Sequence, residues 1–390
     1  MAAEKEKAMS PAEYYKKISK EDRKAIVDLD SKSKSMSFIP TGSWVLNRLA
    51  GDGSNTDKPG GFPRGRIVEI YGDESSGKTT LGLSACKQAQ DLGSIPVYVD
   101  FERTFDKNYA KNLGIDLDRE KFVLMEPDHF QHGAKMIKDA LLMKPALIVV
   151  DSVSAMIPRE YLEGAVDEAG RLGLQAQLMS VFLSIISKHI SAPNTCLTFI
   201  NQMRSVIKGK YERGPSEESS GGKALKYYAS IRYKLETLSI ERINAVSGIT
   251  GLPEKKAVNL KVKATVTKNK IDKPYLSGPI YIRFGEGFDN VMSVIDLGVN
   301  TNRIKKAGPF LKFVDGDQEV FKVQGKEQLR TLLVNDLNIF NRLKDVLASS
   351  IVEDVKEKEL NEEAAEESDE MDQMLENVSK AYTKKTAKDD

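Results

Sequence analysis

A chain of 390 residues with 40% hydrophobic content is long enough to bury a full core, and its length suggests a main domain with smaller attachments. Its two cysteines, Cys86 and Cys196, are far apart and lack CxxC or Cys/His spacing, which argues against a disulfide framework or a zinc site and predicts small core residues in a reducing compartment. The longest apolar run, Ala146 to Val150, is too short to span a bilayer and Met1 to Lys17 has no apolar core, so a soluble cytoplasmic protein is expected.

The net charge of +1 conceals an asymmetry: Glu353 to Glu376 holds twelve acids and two lysines, while residues 1–352 carry about +9. Such a tail is a solvated solubility segment or, on a sharper reading, an intramolecular competitor for a surface that binds polyanions.

Ser10-Pro11-Ala12-Glu13 places a capping serine, a first-turn proline and a third-position glutamate in order, which predicts a helix from here to about Leu29. Its few apolar residues, Tyr15, Ile18, Ala25, Ile26 and Leu29, need a surface to pack on, either the chain's own body or a neighbouring subunit. Ser31 to Ser37 reads as a polar linker and Gly51 to Gly65 as an exposed loop. From Gly65 strands alternate with helices. Strands are expected at Arg66 to Tyr71, Ile95 to Phe101, Ala146 to Asp151 and Thr195 to Asn201, with helices from Lys78, near Phe130 to Met143 and from Gly173 to Ile190. This pattern predicts an α/β fold with a mostly parallel central sheet covered on both faces. Val258 to Ile271 opens with apolar and polar residues in alternation, a strand with one buried face. Asp289 to about Ser350 reads as a small appended α/β unit, and there is no internal repeat.

Gly72-Asp73-Glu74-Ser75-Ser76-Gly77-Lys78-Thr79 fits the phosphate-loop pattern G-x-x-x-x-G-K-S/T and lies between a strand and a helix, as its mechanism requires. Backbone amides of the loop, continued by Thr80, curl around phosphates; Lys78 adds a cation and Thr79 offers a hydroxyl to Mg²⁺. Asp151 closes an apolar strand where a carboxylate would hold the same metal opposite Thr79. Hydrolysis of a bound nucleoside triphosphate needs a group that polarises water, and Glu102, Asp100 and Asp106 all qualify on spacing.

Together these segments resemble the RecA family of homologous recombinases. The match includes Gly65-Arg66-Ile67-Val68-Glu69-Ile70-Tyr71-Gly72, the loop Glu74 to Thr80, Val149-Val150-Asp151-Ser152-Val153 and Ile200-Asn201-Gln202-Met203-Arg204. Gly221-Gly222-Lys223-Ala224-Leu225-Lys226-Tyr227-Tyr228 and Lys268-Asn269-Lys270-Ile271 continue it, so that it covers about Ser37 to Val346 in order. The resemblance implies a RecA-type ATPase core, ATP and Mg²⁺ as cofactors, and Glu102 as the water-activating residue. It also implies that Asp106 and Tyr109 contact adenine, Tyr109 by stacking. Phe284 stands where the family often has a tyrosine near the base, so stacking would survive and a hydroxyl contact would not. Gln202 would sense the γ-phosphate by a hydrogen bond from the end of its strand.

Two DNA-binding loops are implied as well. Tyr161 to Gly173 resembles the first, with Arg171 and Leu172. Met203 to Gly222 resembles the second, with Arg204, Ile207, Lys208, Lys210, Tyr211, Arg213, Gly221 and Gly222. Cations with an aromatic among them suit backbone neutralisation and base contact on single strands; Leu172 and Ile207 resemble the apolar residues that wedge between base triplets. Both loops are longer than in the best-known bacterial pattern, and Lys223 replaces a usual asparagine. Lys268 and Lys270 share the even-numbered register of Val258 to Val266 and would point inward if the strand continued, a costly place for an unpaired ammonium. In the family such lysines reach across a subunit interface to the γ-phosphate of the neighbour's ATP, and Tyr227 would relay ATP state across that contact.

The expectation is an ATP-dependent DNA recombinase: a DNA-dependent ATPase that forms helical filaments on single-stranded DNA, pairs it with homologous double-stranded DNA and exchanges strands in recombination, repair and the SOS response. It would work at the nucleoid in the cytoplasm, or in the host cytoplasm if the source is a bacteriophage, with single-strand-binding, loader and repressor proteins as further partners. The expected organisation is a subunit-docking helix and linker (residues 1–36), the ATPase core (37–289), a small C-terminal domain (290–352) and a disordered acidic tail (353–390). The alternatives are a related ring helicase that shares the ATP site, and a filament-forming mediator that has lost strand exchange.

Overall fold

The computed structural model describes residues 36–51, 60–164, 168–205, 217–219, 223–246 and 253–348, together with Ser10, Glu13, Lys16, Lys17 and Ser19. The chain divides into two units, Met1–Ser37 and Phe38–Asp390. In the first, the expected capping box forms: the Ser10 N–H donates to Glu13 Oε2 (2.9 Å) and the Glu13 N–H to Ser10 Oγ (3.3 Å). The bonds from Ser10 hold the Glu13 carboxyl below the usual carboxylate range. Glu13, Lys16 and Lys17 are helical, whereas Ser19, inside the expected helix, is not; the other residues of that helix and nearly all of the linker lie outside the described residues.

The second unit opens with a two-strand ribbon, Phe38–Ile39 (β1) against Phe62–Pro63 (β2), and the helix Trp44–Ala50 (α1) between them in sequence. Strands and helices then alternate: Ile67–Gly72 (β3), Lys78–Asp91 (α2), Val97–Asp100 (β4), Lys107–Asn112 (α3), Val123–Met125 (β5) and Phe130–Ala140 (α4). Leu147–Asp151 (β6), Arg159–Leu162 (α5), Glu168–His189 (α6) and Cys196–Ser205 (β7) come next. β3, β4 and β6 are buried at every position, because a parallel strand covered by helices has no polar side to show. Glu217–Ser219 (β8), Lys223–Tyr228 (α7), Ile231–Val246 (β9), Pro253–Asn269 (β10), Ser277–Arg283 (β11) and Gly287–Phe288 (β12) complete the large sheet.

Its order is β12-β11-β10-β9-β3-β7-β6-β4-β5, with β8 paired to β7. From β9 to β5 neighbours run parallel, and β10, β11 and β12 join antiparallel. On one face Leu46 of α1 and Leu81 of α2 share a core with Ile70, Tyr98 and Val149; on the other, Ile137, Phe182 and Leu225 from α4, α6 and α7 share one with Val99, Val150 and Phe199. Both cysteines are free and buried in the first of these cores, and burial pushes their thiols up. After the sheet come Asn290–Asn300 (α8), a three-stranded antiparallel sheet of Ile304–Ala307 (β13), Phe310–Asp315 (β14) and Gln318–Gln324 (β15), the helix Gly325–Asn335 (α9) and helical residues 337–348. Phe313, Leu329 and Leu343 of this segment join the core that holds α1 and α2. The acidic tail lies outside the described residues, among which no helix is long and apolar enough to cross a membrane.

Three segments differ from expectation. In Gly51 to Gly65, expected as an exposed loop, Gly51 and Gly60 to Pro63 are buried, because Phe62 and Pro63 pair as β2 with β1. β7 runs past Asn201 to Ser205, because Met203, Arg204 and Ser205 find strand partners in Ser219, Glu218 and Glu217. α6 begins at Glu168 rather than Gly173.

Gly133 of α4 lies against the Phe101 ring, where an added Cβ would come within 2.2 Å of Cζ. Gly133→Ala is expected to destabilise the fold by about 1–3 kcal/mol in urea denaturation, overpacking outweighing alanine's better helix propensity.

Candidate functional site

The carboxyl ends of β3, β4, β6 and β7 open on one edge of the sheet, where a cleft of about 420 Å³ is lined by Glu74 to Thr80, Glu102, Tyr109, Asp151, Gln202 and Phe284. β3 ends at Gly72 hard against β9: a Cβ there would lie 2.0 Å from the Leu235 carbonyl oxygen. The loop closes at Gly77, left-handed at φ 89°, where a Cβ would meet Ile282 Cδ1 at 2.1 Å. At Gly72 the Leu235 backbone leaves room only for glycine, and at Gly77 the left-handed backbone favours it. α2 starts here without a side-chain cap, so its first N–H groups remain for an anion. The Lys78 ammonium folds back on the loop and donates to the carbonyls of Gly72 (3.1 Å) and Asp73. Burial lowers its pKa, opposed by the nearby carboxylates of Asp151, Asp73, Glu102 and Glu74.

The Thr79 hydroxyl donates to Asp151 Oδ2 (2.9 Å), and the buried Tyr98 hydroxyl donates to the same oxygen (2.6 Å). Burial is the strongest influence on Asp151; with the charges of Glu102 and Asp100 it outweighs these bonds and raises the pKa to about 6. A crowded, desolvated carboxylate with a hydroxyl beside it is a donor set that suits a hard divalent cation, so Thr79 and Asp151 fit Mg²⁺.

The three acids that spacing leaves equivalent have different surroundings. Asp100 is turned into the backbone: Oδ1 accepts the N–H groups of Glu102 (3.1 Å) and Arg103 (2.9 Å), and Oδ2 that of Phe105 (2.8 Å). Asp106 caps α3, its Oδ1 accepting from Asn108 N (2.8 Å) and Tyr109 N (3.0 Å). Glu102 faces the cleft, and its Oε1 accepts from Gln202 Nε2 (3.3 Å) and from the Ser152 hydroxyl, which lies 2.6 Å from Ser154 Oγ. Tyr109 stands on the cleft wall with its hydroxyl 2.7 Å from Thr80 Oγ1, and Phe284 is 48% exposed there, its ring open to a ligand. Ser152 lies in the matched segment Val149 to Val153 without a role assigned to it there, and Tyr98 and Ser154 lie in no motif; the signal for them is position, Tyr98 two residues before Asp100 and Ser154 three after Asp151.

Lys268 and Lys270 lie away from this cleft. Lys268 pairs with Arg232 near the start of β9, whereas the phosphate loop leaves β3 beside Leu235, further along the same strand. The inward register does not persist, because a bulge between Val266 and Lys268 inserts a residue and redirects the strand beyond it. Lys268 Nζ donates to the carbonyls of Lys226 (2.7 Å) and Tyr227 (2.9 Å), and Lys270 Nζ to that of Tyr227 (3.4 Å). Both cations thus sit at the negative end of α7. Burial, then Lys270 and Arg232, hold the Lys268 pKa below its usual value. The Tyr227 side chain is exposed beside them.

Gln202 lies inside β7 rather than at its end, and β8 pairs back on β7 at Met203 to Ser205. Arg171 and Leu172 fall within α6 rather than a loop and Arg204 falls within β7, with their side chains outside the described residues. Ile207, Lys208, Lys210, Tyr211, Arg213, Gly221 and Gly222 lie outside them altogether.

A parallel α/β sheet with a glycine-bounded loop, a threonine–aspartate pair and a facing glutamate at its carboxyl edge is the build of a phosphate-loop nucleotide-binding protein. The family model described as the RecA N-terminal domain matches residues 8–289. The chain is 37% identical to Protein RecA of Streptomyces coelicolor over 316 residues, covering 80% of this chain and 77% of the relative. It is 38% identical over 310 residues to Protein RecA of a Nocardioides species (79% and 81% covered) and 39% identical over 307 residues to that of Chloroherpeton thalassium (78% of each). The chain belongs to the RecA family.

Asp151 gives the nucleotide-free protein a pH dependence. Its folded pKa of about 6 lies above the unfolded value near 3.8, so ionisation destabilises the fold: the penalty is absent below pH ~4, grows with rising pH and is complete above pH ~6, at about 3 kcal/mol. Asp151→Asn is therefore expected to gain stability relative to the parent as pH rises through this window, measured by urea unfolding; parallel pH profiles for the two proteins would contradict the assignment.

Proposed function

We propose that this chain is an ATP-dependent recombinase, a DNA-dependent ATPase that assembles as a filament on single-stranded DNA and exchanges strands with a homologous duplex at the nucleoid in the cytoplasm. The loop amides from Gly72 to Thr80 and the Lys78 ammonium hold the phosphates of ATP, Tyr109 and Phe284 flank its base, and Asp106 fixes the helix that carries Tyr109. Thr79 and Asp151 hold Mg²⁺, which neutralises phosphate charge when bound. Glu102 orients a water and takes its proton, with Ser152 and Gln202 fixing the carboxylate. Lys268 and Lys270, displaced along β9 from their own phosphate loop, serve the cleft of a neighbouring subunit, and Tyr227 lies at the same contact.

The observation that carries this reading is the placement of Gln202. Its side chain touches Glu102 in the cleft, and its own strand runs on, within three residues, into the segment that binds DNA in the family resemblance. A change at the γ-phosphate position thus reaches the DNA loop through a single strand. No observation favours the helicase or mediator alternatives.

The test is strand exchange between circular single-stranded DNA and homologous linear duplex, with ATP and with a non-hydrolysable analogue. The parent is expected to pair DNA with either nucleotide, and Glu102→Gln to keep ATP binding and pairing while its DNA-stimulated turnover falls by about 10²–10⁴. Absence of pairing by the parent would refute the reading.

A further inference from the structure

A set of polar side chains that none of the steps above uses lies buried between Gln202 and the lysine edge. Glu69 of β3 is fully buried, and its carboxylate is held on both oxygens, by Asn201 Nδ2 of β7 (2.9 Å) and by the Nε of the buried Arg232 of β9. Register explains the meeting: Glu69 pairs with Arg232 on one side, and Tyr71, two residues along the same face, pairs with Asn201 on the other. The Arg232 guanidinium lies over the Tyr71 ring, 4.3 Å from its centroid, and the Tyr71 hydroxyl is 2.8 Å from Thr267 Oγ1. Thr267 is the residue inserted at the bulge before Lys268.

Both ends of this array meet groups of the proposed reaction. At one end Asn201 Oδ1 accepts the Gln202 backbone N–H (3.0 Å), fixing the peptide from which the Gln202 side chain reaches Glu102. At the other, the bulge aims Lys268 at the carbonyls that end α7, and Arg232 is its strand partner.

A buried ion pair is weak evidence for stability, because desolvation offsets attraction and apolar side chains of the same volume hold a fold as well. An array of hydrogen-bonded side chains between strands does fix their distances, since a member that moves alone breaks a bond in a largely buried place. We propose that Glu69 and Arg232 are positioning residues that couple the state of Gln202 in one cleft to the placement of Lys268 at the subunit edge. A shift of β7 at Asn201 draws the Glu69 carboxylate with it, Arg232 follows its counter-ion, and Tyr71 passes the movement to the bulge. This inference rests on the roles proposed above for Gln202 and Lys268.

The experiment compares the parent, the paired variant Glu69→Met with Arg232→Met, and Tyr71→Phe, which keeps the ring and loses only the hydroxyl. Three quantities are read: the melting temperature, the affinity of isolated subunits for a fluorescent ATP analogue, and the ratio of DNA-stimulated to DNA-free ATP turnover. The paired variant is expected to remain folded with a lower melting temperature, because the Asn201 amide loses the Glu69 acceptor, to bind the analogue equally and to lose about tenfold in the turnover ratio; Tyr71→Phe is expected to lose about twofold or more with an unchanged melt. A parent-like ratio in the folded paired variant overturns the proposal, and if that variant fails to fold, a parent-like ratio in Tyr71→Phe does so. A parent without DNA-stimulated turnover refutes the proposed function and this coupling with it, whereas a stimulated parent with unchanged variants refutes the coupling alone.

Discussion

β3 is clamped between two parallel neighbours, and the cleft depends on that clamp. Pairing with β7 from Ile67 to Gly72 and with β9 from Val68 to Gly72 sets the point at which the chain leaves the sheet, and the Leu235 carbonyl leaves no space there for a side chain. The β3–β7 ladder brings Gln202 level with Gly72 and, on the far side of β7, the β4–β6 ladder brings Asp151 level with Asp100. Groups from four strands therefore converge while each stays in its ladder, which is why ligands of such sheets sit at the carboxyl edge. A register slip of one residue would turn Asp151 to the other face and dissolve the pairing with Thr79.

Crowding acids at that edge sorts them by what surrounds each. Asp100 is committed to three backbone amides and builds the turn on which Glu102 stands. Asp151 keeps only two hydroxyl donors against deep burial, so it ionises late and gains most from a cation. Glu102 is held by a serine and an amide at the cleft wall, with room in front of it. Hydrogen-bonding environment separates residues that chemistry alone would make interchangeable.

The parts legible in the sequence are those with rigid local requirements. The strand, loop and helix from Ile67 to Asp91 are written in continuous apolar residues and in glycines that a close backbone approach or a left-handed turn favours, and the Ser10–Glu13 capping box is a four-residue signal that closes on itself. The parallel character of the sheet is written in its unbroken apolar strands. Features that escaped the sequence depend on partners distant in the chain. β7 continues beyond Asn201 because β8 comes back to meet it, and the bulge at Thr267 cannot be seen in a period of two, since an inserted residue leaves no mark on composition. The choice among Asp100, Glu102 and Asp106 is likewise closed to spacing, because it turns on which backbone amides each carboxylate meets.

In the proposed mechanism the ATP site is completed by a second copy of the chain. Lys268 and Lys270 stand at the end of α7, displaced from their own phosphate loop, an arrangement that suits a head-to-tail filament in which each edge faces the next cleft. Mixing subunits tests this most directly. Glu102→Gln subunits lack the water-orienting carboxylate and keep the lysines; subunits with Lys268→Ala and Lys270→Ala lack the lysines and keep an intact cleft. Each alone should be inactive, and an equal mixture on single-stranded DNA should recover about a quarter of parental ATP turnover, because that share of random head-to-tail junctions joins an intact cleft to intact lysines. A mixture as inactive as its components would contradict a site shared between subunits.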